Sequence, residues 1–396
     1  MFKKLASNKF IILILTIAVV LGSGHALQTI IPMSILNIIF AIISIIPIVF
    51  TIYKSNWGDH LIAFIIFLVM IAFQIVLGFG SSILNYLSQM CIIFVAMGVV
   101  VLYSFESVVK YYLKIMTFVT AVSIIGYILA NTGNILQLPI MTNVNDVKYG
   151  VGVIFNYIIG IPERNCGMFW EPGLFATYLV IAIVFELCFK NEKVSKPRIV
   201  LFVVGLITAN SSAGFVLLFL CLILALFKSN DKSKGIGGVL VSFIVLLCGI
   251  LVLSNADYII ENTFLNESEY FIKLLSSNVE DSSRINAIIH NLEILFEHPL
   301  GAGISYVSAN MRYTADTSTS TYILSIYGWL GVFYTVYWVY SIFKIKNLNF
   351  FSKIALLAIF LIILNKEPHH TLVFTWCLLF FLLKHNSKKK EELCIV

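Results

Sequence analysis

The chain contains 396 residues, of which 60% are hydrophobic and only 12% are charged. Soluble domains carry about 25% charged residues, so this composition excludes a soluble globular protein and predicts an all-α, polytopic integral membrane protein. The formal net charge of +6 comes from basic residues in short turns between apolar runs. It is a topology signal and does not indicate nucleic acid as a partner.

Apolar runs long enough, or nearly long enough, to cross a bilayer recur along the whole chain. We predict about twelve transmembrane helices in a single transmembrane domain covering residues 1–396. The runs lie near residues 10–28, 33–53, 60–78, 83–103, 112–130, 170–189, 199–209, 213–227, 236–254, 321–343, 353–365 and 371–384.

The distribution of Lys and Arg predicts the orientation, because loops retained in the cytoplasm keep their basic residues. Twelve crossings place both termini on one side of the membrane. If that side is cytoplasmic, all but six of the 26 basic residues lie inside. The six that fall outside are Lys148, Arg164, Lys273, Arg284, Arg312 and Lys366.

Two predicted outer segments are long: residues 131–167, and residues 255–320 between the ninth and tenth helices. The second contains a predicted amphipathic helix near residues 283–298. On a helical projection its Ile and Leu residues gather on one side, and Arg284, Asn291 and His298 fall in a sector about 40° wide on another. Pro299 ends this helix, and the glycines at 301 and 303 allow the backbone to approach a ligand or a neighbouring helix closely.

The first candidate site is residues 162–173, at the outer end of the sixth run. A charged side chain near hydrocarbon costs up to roughly 2.5–3.5 kcal/mol, so Arg164 and Glu171 need a reason to be there. One interpretation is that Arg164 binds a polyanion and Glu171 accepts a proton. The other is interfacial anchoring, with Arg164 paired to Glu163, Trp170 in the aromatic belt and Glu171 as a helix N-cap.

The second candidate site lies around the amphipathic helix. Arginine presents a rigid fork that matches phosphate oxygens, so Arg164 and Arg284, one from each long outer segment, are predicted to hold one pyrophosphate. The alternative is that Arg284 pairs with Glu280 or Asp281 and His298 caps the helix. Further candidate substrate-binding residues are Arg312, His290, Asn291, Asp316 and, from the last outer turn, His369.

The chain gives little sign of a cofactor. Its seven cysteines form no CxxC or Cys/His spacing of the kind that binds zinc, and the adjacent histidines at 369 and 370 point different ways on a helix or a strand. No glycine-rich phosphate loop is present. We expect no metal and no cofactor.

Three short patches resemble the superfamily of O-antigen ligases and Wzy-type polysaccharide polymerases. These proteins have about twelve helices, inward termini and a large outer loop between helices nine and ten. The family pattern of Arg, Gly-x-Phe and an acidic residue before Pro is matched here, and so are Arg followed by Pro-x-Gly-x-Gly and a later Gly-x-x-Gly. The matching residues are Arg164, Gly167, Phe169, Glu171 and Pro172, then Arg284, Pro299, Gly301 and Gly303, then Gly328 and Gly331.

The resemblance implies a metal-independent glycosyltransferase in the bacterial cytoplasmic membrane, with its active face outside the cytoplasm. It would join undecaprenyl-pyrophosphate-linked oligosaccharide repeat units into capsular, O-antigen or exopolysaccharide. Arg164 and Arg284 would hold the pyrophosphate and Glu171, or else His298, would take the hydroxyl proton. The implied partners are the lipid-linked oligosaccharide, the lipid bilayer, a chain-length regulator and the flippase of the same pathway.

Two other functions stay open. One is ligase-like transfer of a glycan to a lipid or protein acceptor, and the other is transport of a lipid-linked oligosaccharide across the bilayer. Ligases and many polymerases have a His shortly before the Gly-x-x-Gly motif, where this chain has residues 317–321, all Ser or Thr, and many members have Ser-Arg where this chain has Ser211-Ser212. These differences favour a polymerase. A flippase would place charged residues deep in its spans, whereas here the spans are nearly free of charge.

Overall fold

The computed structural model describes residues 9–29, 34–53, 58–77, 83–132, 138–143, 146–190, 192–228, 283–311 and 315–391. Fourteen α-helices lie within these ranges. They are α1 (Lys9–Leu21), α2 (Ser34–Tyr53), α3 (Asp59–Leu77), α4 (Ile83–Leu102), α5 (Phe105–Asn131), α6 (Pro172–Val184), α7 (Lys196–Ala209), α8 (Ser212–Lys228), α9 (Ser283–Glu297), α10 (Ile304–Ala309), α11 (Thr319–Tyr327), α12 (Val332–Phe343), α13 (Phe350–Leu364) and α14 (Val373–Glu391).

Shorter elements connect the helices. A π-helical turn, Phe185–Phe189, extends α6, and 3₁₀ turns cover Ala26–Thr29, Ala315–Thr317, Gly328–Gly331 and His369–Thr371. Three short strands, β1 (Ile140–Thr142), β2 (Lys148–Val151) and β3 (Asn156–Ile158), form an antiparallel sheet in the order β1-β2-β3. This sheet was not predicted from the sequence. The predicted all-α fold therefore holds for the helical bundle and not for the first long outer segment.

The protein is a mostly helical membrane protein. Within the described ranges, five stretches are long and apolar enough to cross a bilayer: Asp59–Leu77, Ile83–Leu102, Phe105–Asn131, Pro172–Phe189 and Thr319–Phe343. Five further apolar helices are shorter. The ninth predicted run, residues 236–254, and residues 255–282 and 312–314 of the large outer loop lie outside the described residues, so the count of twelve spans stays a prediction. Helix α9 covers the range in which an amphipathic helix was predicted.

Helix α6 is the centre of the bundle, and every one of its residues is buried. It packs against α5, α7 and α8, and its Ala and Gly residues allow close approach between helices. Pro172 occupies the first turn, where its missing N–H removes no helical hydrogen bond. The start of α6 is therefore well defined, and so is the position of the residues just before it.

A chain of stacked aromatic rings leads from the core to the start of α6. Tyr112 of α5 stacks on Phe374 of α14 at 5.0 Å, Phe374 stacks on Tyr178 of α6 at 5.2 Å, and Tyr178 packs on Phe169 at 4.4 Å between ring centroids. The Tyr178 hydroxyl donates to the carbonyl of Ser23 at 2.5 Å. Such ring pairs add about 0.5–1.5 kcal/mol each to the burial they provide, so they hold α5, α6, α14 and the end of α1 together.

A network of buried ion pairs lies at the C-terminal end of α6. The carboxylate of Glu186, whose side chain is 0% exposed, pairs with Lys190 at 2.8 Å and with Arg198 of α7 at 2.6 Å. The backbone N–H of Ser195 donates to the same carboxylate at 2.6 Å. A buried carboxylate is tolerated only when it is paired and hydrogen-bonded, and this network fixes the turn between α6 and α7.

Candidate functional site

A cavity of about 520 Å³ opens at the end of the bundle where α6 begins. Its wall comes from the end of α1, parts of α3 and α4, the residue before α6, helices α10 and α11, and the turn before α14. The lining residues are Gly22, Gln28, Met70, Ile71, Asn85, Ser88, Gln89, Ile92, Ile93, Trp170, Ile304, Ser308, Tyr322, Ile323, Ile326, Tyr327, His370, Thr371, Leu372 and Trp376. By the positive-inside assignment this end of the bundle is the predicted outer face.

Asn165 ties the first candidate segment to the bundle. Its buried side chain donates to the hydroxyl of Thr208 at 3.0 Å and to that of Ser123 at 3.4 Å, and its Oδ1 accepts from the N–H of Gly167 at 2.8 Å. Gly167 has φ +57°, and a Cβ there would lie 2.8 Å from the ring of Phe175. Only glycine suits that conformation at that distance, which explains the Gly-x-Phe pattern of this segment in structural terms.

Backbone pairing then directs Trp170 into the cavity wall. The N–H of Trp170 donates to the carbonyl of Gly24 at 3.1 Å, and Phe169 forms an isolated antiparallel bridge with His25. The ring of His25 donates to the carbonyl of Val153 at 2.9 Å, which joins this bridge to the sheet segment. The segment that the sequence analysis selected therefore contributes a tryptophan to the cavity.

Arg164 and Glu171 flank this tryptophan but are not among the described residues that line the cavity. Glu171 is exposed and is the N-cap residue of α6, although its carboxylate makes no capping hydrogen bond to the helix. Arg164 is partly buried. Burial raises the pKa of the neighbouring Cys166 thiol to about 12, and the positive charge of Arg164 opposes that rise. The positive charge of Arg164 therefore acts on the Cys166 thiol, which is buried and uncharged at neutral pH.

The two glycine motifs of the second half meet each other. A Cβ on Gly328 would lie 2.2 Å from the carbonyl of Pro299 and 2.5 Å from the nitrogen of Gly301. Gly301 has φ +96° and Gly328 has φ +62°. The N–H of Trp329 donates to the Pro299 carbonyl at 3.0 Å. The close approach that the sequence predicted therefore joins two segments of this chain.

This contact places helix α10 against the cavity. The N–H groups of Ala302 and Gly303 donate to the carbonyls of Ser325 and Ile326 of α11, at 3.0 Å and 3.2 Å. The N–H of Ile304 donates to the hydroxyl of Tyr86 at 3.3 Å. Residues 299–303 thus bind to α4 and α11, and they deliver two residues of α10 to the lining.

The candidate residues of α9 contact neighbouring segments of the same loop. Asn291 is buried and donates to the hydroxyl of Thr321 at 3.1 Å. The ring of His290 donates to the carbonyl of Asn310 at 2.9 Å, and the ring of His298 packs against Tyr306 at 4.7 Å. None of the three is among the described lining residues, so these contacts are structural and a role in binding stays a prediction.

The remaining predicted cations of this segment lie outside the described residues. Arg312 falls in a gap of the described chain, and Arg284 lies in the first turn of α9 but its side chain is not described. The predicted pairing of Arg164 with Arg284 around one pyrophosphate therefore stays a prediction. Asp316 is described: burial raises the pKa of its carboxyl, and its charge acts on Tyr322 in the cavity wall.

Residues 366–370 form a polar turn, of which only His369 was predicted to take part in substrate binding. The Lys366 ammonium donates to the carbonyl of Gly173 in α6 at 2.7 Å and contacts the hydroxyl of Ser211 at 3.1 Å. A Cβ on Gly173 would also lie 2.9 Å from Oε1 of Glu367. The sequence signal is a run of seven polar or Pro residues, 365–371, between two apolar runs, but Lys366 was used only to assign topology.

The two histidines of this turn have different positions. His369 is buried and hydrogen-bonds with the hydroxyl of Thr375 at 3.0 Å, whereas His370 lines the cavity. Burial, and then the charges of Lys366 and His370, lower the pKa of His369 to about 3; burial lowers the pKa of His370 to about 4. Both rings are uncharged at neutral pH. His369 was predicted from the sequence to bind substrate, but the histidine that lines the cavity is His370.

In the described part of the chain, no three His, Cys, Asp or Glu side chains come together as a set of metal ligands. Comparison of the chain with models of protein families, with curated proteins and with solved structures gave no match. The interpretation of the site therefore depends on its own geometry and on the resemblance of its short motifs.

Proposed function

We propose that the protein is a membrane glycosyltransferase that joins undecaprenyl-pyrophosphate-linked oligosaccharide repeat units into a longer polysaccharide at the outer face of the bacterial cytoplasmic membrane. One observation carries the proposal. The three short patches that resemble polysaccharide polymerases are far apart in sequence, and each of them lies next to residues that line the same cavity.

The first patch, residues 164–173, contains Trp170 of the lining. The second patch leads directly from residues 299–303 into Ile304, and the third, Gly328–Gly331, follows Tyr327. Convergence of separate segments on a cavity of this size is typical of a ligand site, since ligand pockets measure roughly 300–1,000 Å³.

The proposed chemistry is displacement at the anomeric carbon of the growing glycan. A hydroxyl oxygen of the next lipid-linked unit attacks that carbon, the bond to pyrophosphate breaks, and its electron pair leaves with the lipid pyrophosphate. Arg164 and Arg284 are proposed to stabilise the charge that develops on the leaving group. Glu171, or else His298, is proposed to take the hydroxyl proton.

Cationic groups near the start of α6 support this assignment. The partly buried Arg164 precedes the helix, and the buried Lys366 ammonium reaches the carbonyl of Gly173 in its first turn. A buried ammonium costs free energy unless polar groups compensate for it, and the Gly173 carbonyl and the Ser211 hydroxyl do so here. An anionic leaving group is favoured in such surroundings.

The direct test is to incubate the purified full chain with undecaprenyl-pyrophosphate-linked repeat units extracted from the producing cells, and to resolve the products by electrophoresis. We expect a ladder of longer glycans. Transfer of one glycan to a lipid or protein acceptor without a ladder would indicate a ligase instead. Movement of the lipid-linked unit across a liposome bilayer, with no elongation, would indicate a flippase.

Variants of Arg164 test the proposed clamp within the same assay. We expect Arg164→Ala to lower the elongation rate roughly 100-fold, as removal of a group that stabilises developing charge does in other enzymes. Arg164→Lys should retain part of the rate, because it keeps the charge and loses the fork. Lys148→Ala is the matched control, since Lys148 is exposed on β2. Equal rates for Arg164→Ala and the control would exclude Arg164 from the chemistry.

A further inference from the structure

The described residues that line the cavity include no lysine, arginine, aspartate or glutamate. A pyrophosphate placed there would have no cationic partner in the wall, and an anion that loses water without gaining such a partner is strongly disfavoured. The described wall therefore favours an uncharged part of the ligand. The cationic residues near the start of α6 then bind one part of the ligand, and the cavity binds another part of the same ligand.

Two kinds of side chain form the wall. Amides and hydroxyls come from Gln28, Asn85, Ser88, Gln89, Ser308 and Thr371. Each of these groups can both donate and accept a hydrogen bond, as a sugar hydroxyl does. Aromatic rings come from Trp170, Tyr322, Tyr327 and Trp376. A sugar ring presents C–H groups on its faces and hydroxyls at its rim, and this wall offers a partner to both.

His370 adds an imidazole ring to the cavity lining. Its carbonyl is held by the side-chain N–H groups of Gln89 at 3.0 Å and Trp376 at 2.9 Å, and its ring packs on Tyr322 at 4.8 Å. Within the described part of the chain, its Nδ1 is buried and has no hydrogen-bond partner. An imidazole in the lining can donate or accept a hydrogen bond, so the ring of His370 offers a partner to a ligand hydroxyl in the cavity.

We propose that this cavity binds an uncharged sugar residue, with His370 hydrogen-bonded to a sugar hydroxyl, the ring of Trp170 against one sugar face and the amides of Asn85 and Gln89 at the rim. The proposal rests on the proposed function for the identity of the ligand as a lipid-linked saccharide. It adds which part of that saccharide binds where, and it makes His370 and Trp170 residues of the sugar site.

The main competitor for the cavity is a polyprenyl chain. Isoleucine and leucine side chains form part of the wall, and hydrocarbon would pack against them. However, a hydrocarbon chain would cover the exposed polar side chains of Asn85 and Ser88 and remove their water, and it would form no hydrogen bond in exchange. The polar part of the wall therefore favours the sugar.

Isothermal titration calorimetry of the full chain in detergent tests the proposal. The probes are trisaccharides of glucose, galactose and N-acetylglucosamine, and a C55 polyprenol in mixed micelles. We expect at least one trisaccharide to bind. His370→Gln and Trp170→Leu should each weaken that binding up to about tenfold, for the loss of one hydrogen bond or one stacked ring.

Matched controls and a second kind of variant keep the test independent of folding defects. Trp329→Leu alters an exposed tryptophan outside the cavity, and His385→Gln alters a histidine that pairs with Glu106 at the other end of α14. Both should bind the trisaccharide like the unaltered protein. Ser88→Trp, at an exposed position of the lining, should fill the cavity and abolish binding without changing the melting temperature.

The outcomes separate this proposal from the proposed function. A glycan ladder that forms at normal rate in His370→Gln, Trp170→Leu and Ser88→Trp would overturn the sugar site and leave the glycosyltransferase intact. Trisaccharide binding that these variants weaken, in a protein that makes no ladder, would support the sugar site and remove the glycosyltransferase. Absence of binding by every trisaccharide, or binding of the polyprenol alone with the same dependence on these residues, would overturn the sugar site.

Discussion

Lys366 and Gly173 are joined across the bundle: the ammonium of Lys366 donates to the Gly173 carbonyl at 2.7 Å, and both groups lie in buried surroundings. The bond connects the turn before α14 to the first turn of α6. Because Trp170 precedes α6 and His370 ends the 366–370 turn, this one contact relates two walls of the cavity to each other.

Substitution of Lys366 should therefore lower stability. Lys366→Met keeps most of the chain length of the side chain and removes the ammonium, which leaves the carbonyl of Gly173 and the hydroxyl of Ser211 without this donor. Loss of a hydrogen bond from a charged group costs about 1.5–3 kcal/mol. The thermal unfolding midpoint in detergent measures the effect, with the exposed Lys148→Met as control. Equal midpoints for the two variants would show that the buried ammonium contributes nothing.

Gly328 offers a sharper test of close packing. Alanine at this position would place its Cβ 2.2 Å from the Pro299 carbonyl, at φ +62°. Gly160→Ala is the matched control, because Gly160 has φ +99° and nothing within 4 Å of the added Cβ. Both variants bear a conformational cost of roughly 1–2 kcal/mol, and only Gly328→Ala adds a steric clash with backbone.

We expect Gly328→Ala to unfold at a clearly lower temperature than Gly160→Ala, and to lose binding or activity at the cavity because helix α10 shifts. If the two variants have the same midpoint, the cost is conformational only, and the contact between residues 299–301 and Gly328 is not tight.

The helices were the most predictable part of this chain, since apolar runs bounded by basic turns indicate membrane helices directly. The three-stranded sheet was missed because its strands are three or four residues long and contain no sustained alternation of polar and apolar residues. Pairing of such short strands depends on contacts made elsewhere, such as the bridge between His25 and Phe169, and these are not visible in local sequence.

The site was predictable in its motifs but not in its contacts. Gly301 and Gly328 both stand in glycine patterns that indicate close approach, yet nothing in the sequence identifies each as the other's partner. The choice between His369 and His370 is similar. Thr375 binds one ring, and Gln89 and Trp376 hold the backbone carbonyl of the other residue, so tertiary contacts decide which ring reaches the cavity.

Glu186 should be essential to stability although it lies far from the cavity. It and Glu192 both pair with Lys190, but the side chain of Glu186 is 0% exposed and that of Glu192 is 73% exposed. Glu186→Gln leaves the ammonium of Lys190 and the guanidinium of Arg198 without their buried anion, and we expect a loss of about 3–5 kcal/mol. Glu192→Gln should cost less than about 0.5 kcal/mol.

The comparison of these two variants by thermal unfolding isolates the effect of burial, because the substitution and one partner are the same in both. Similar midpoints would mean that water reaches Glu186 in solution and that the α6–α7 turn is not closed by buried charge.

Acid should destabilise the protein through the 366–370 turn. The pKa of His369 is lowered to about 3, by burial and then by the charges of Lys366 and His370, and burial lowers that of His370 to about 4. An unfolded histidine titrates near 6.5. Between about pH 6.5 and pH 4 the unfolded chain therefore binds more protons than the folded one. The linkage relation then requires the free energy of unfolding to fall as the pH falls through this range. Above this range the contribution of the two histidines to stability has its full value.

The other charged groups near these rings set the size of the effect. Lys366 and Glu367 lie in the same turn as the two histidines. Asp316 lies near Tyr322, which lines the cavity. Burial raises the pKa of Asp316, so this carboxyl binds its proton more readily in the folded state and partly offsets the loss at the acidic end. Acidification to pH 4.5 should cost roughly 2–3 kcal/mol for each histidine, before the offset from Asp316.

Unfolding midpoints at pH 7.5 and pH 4.5 check this expectation. The double variant His369→Gln/His370→Gln should lose less stability on acidification than the unaltered protein, although its midpoint at pH 7.5 is lower because the hydrogen bond with Thr375 is weakened. His298→Gln, a change in a partly exposed histidine at the end of α9, should keep the acid sensitivity. If the double variant and His298→Gln lose the same stability at pH 4.5, the two buried rings are not the source of the acid effect.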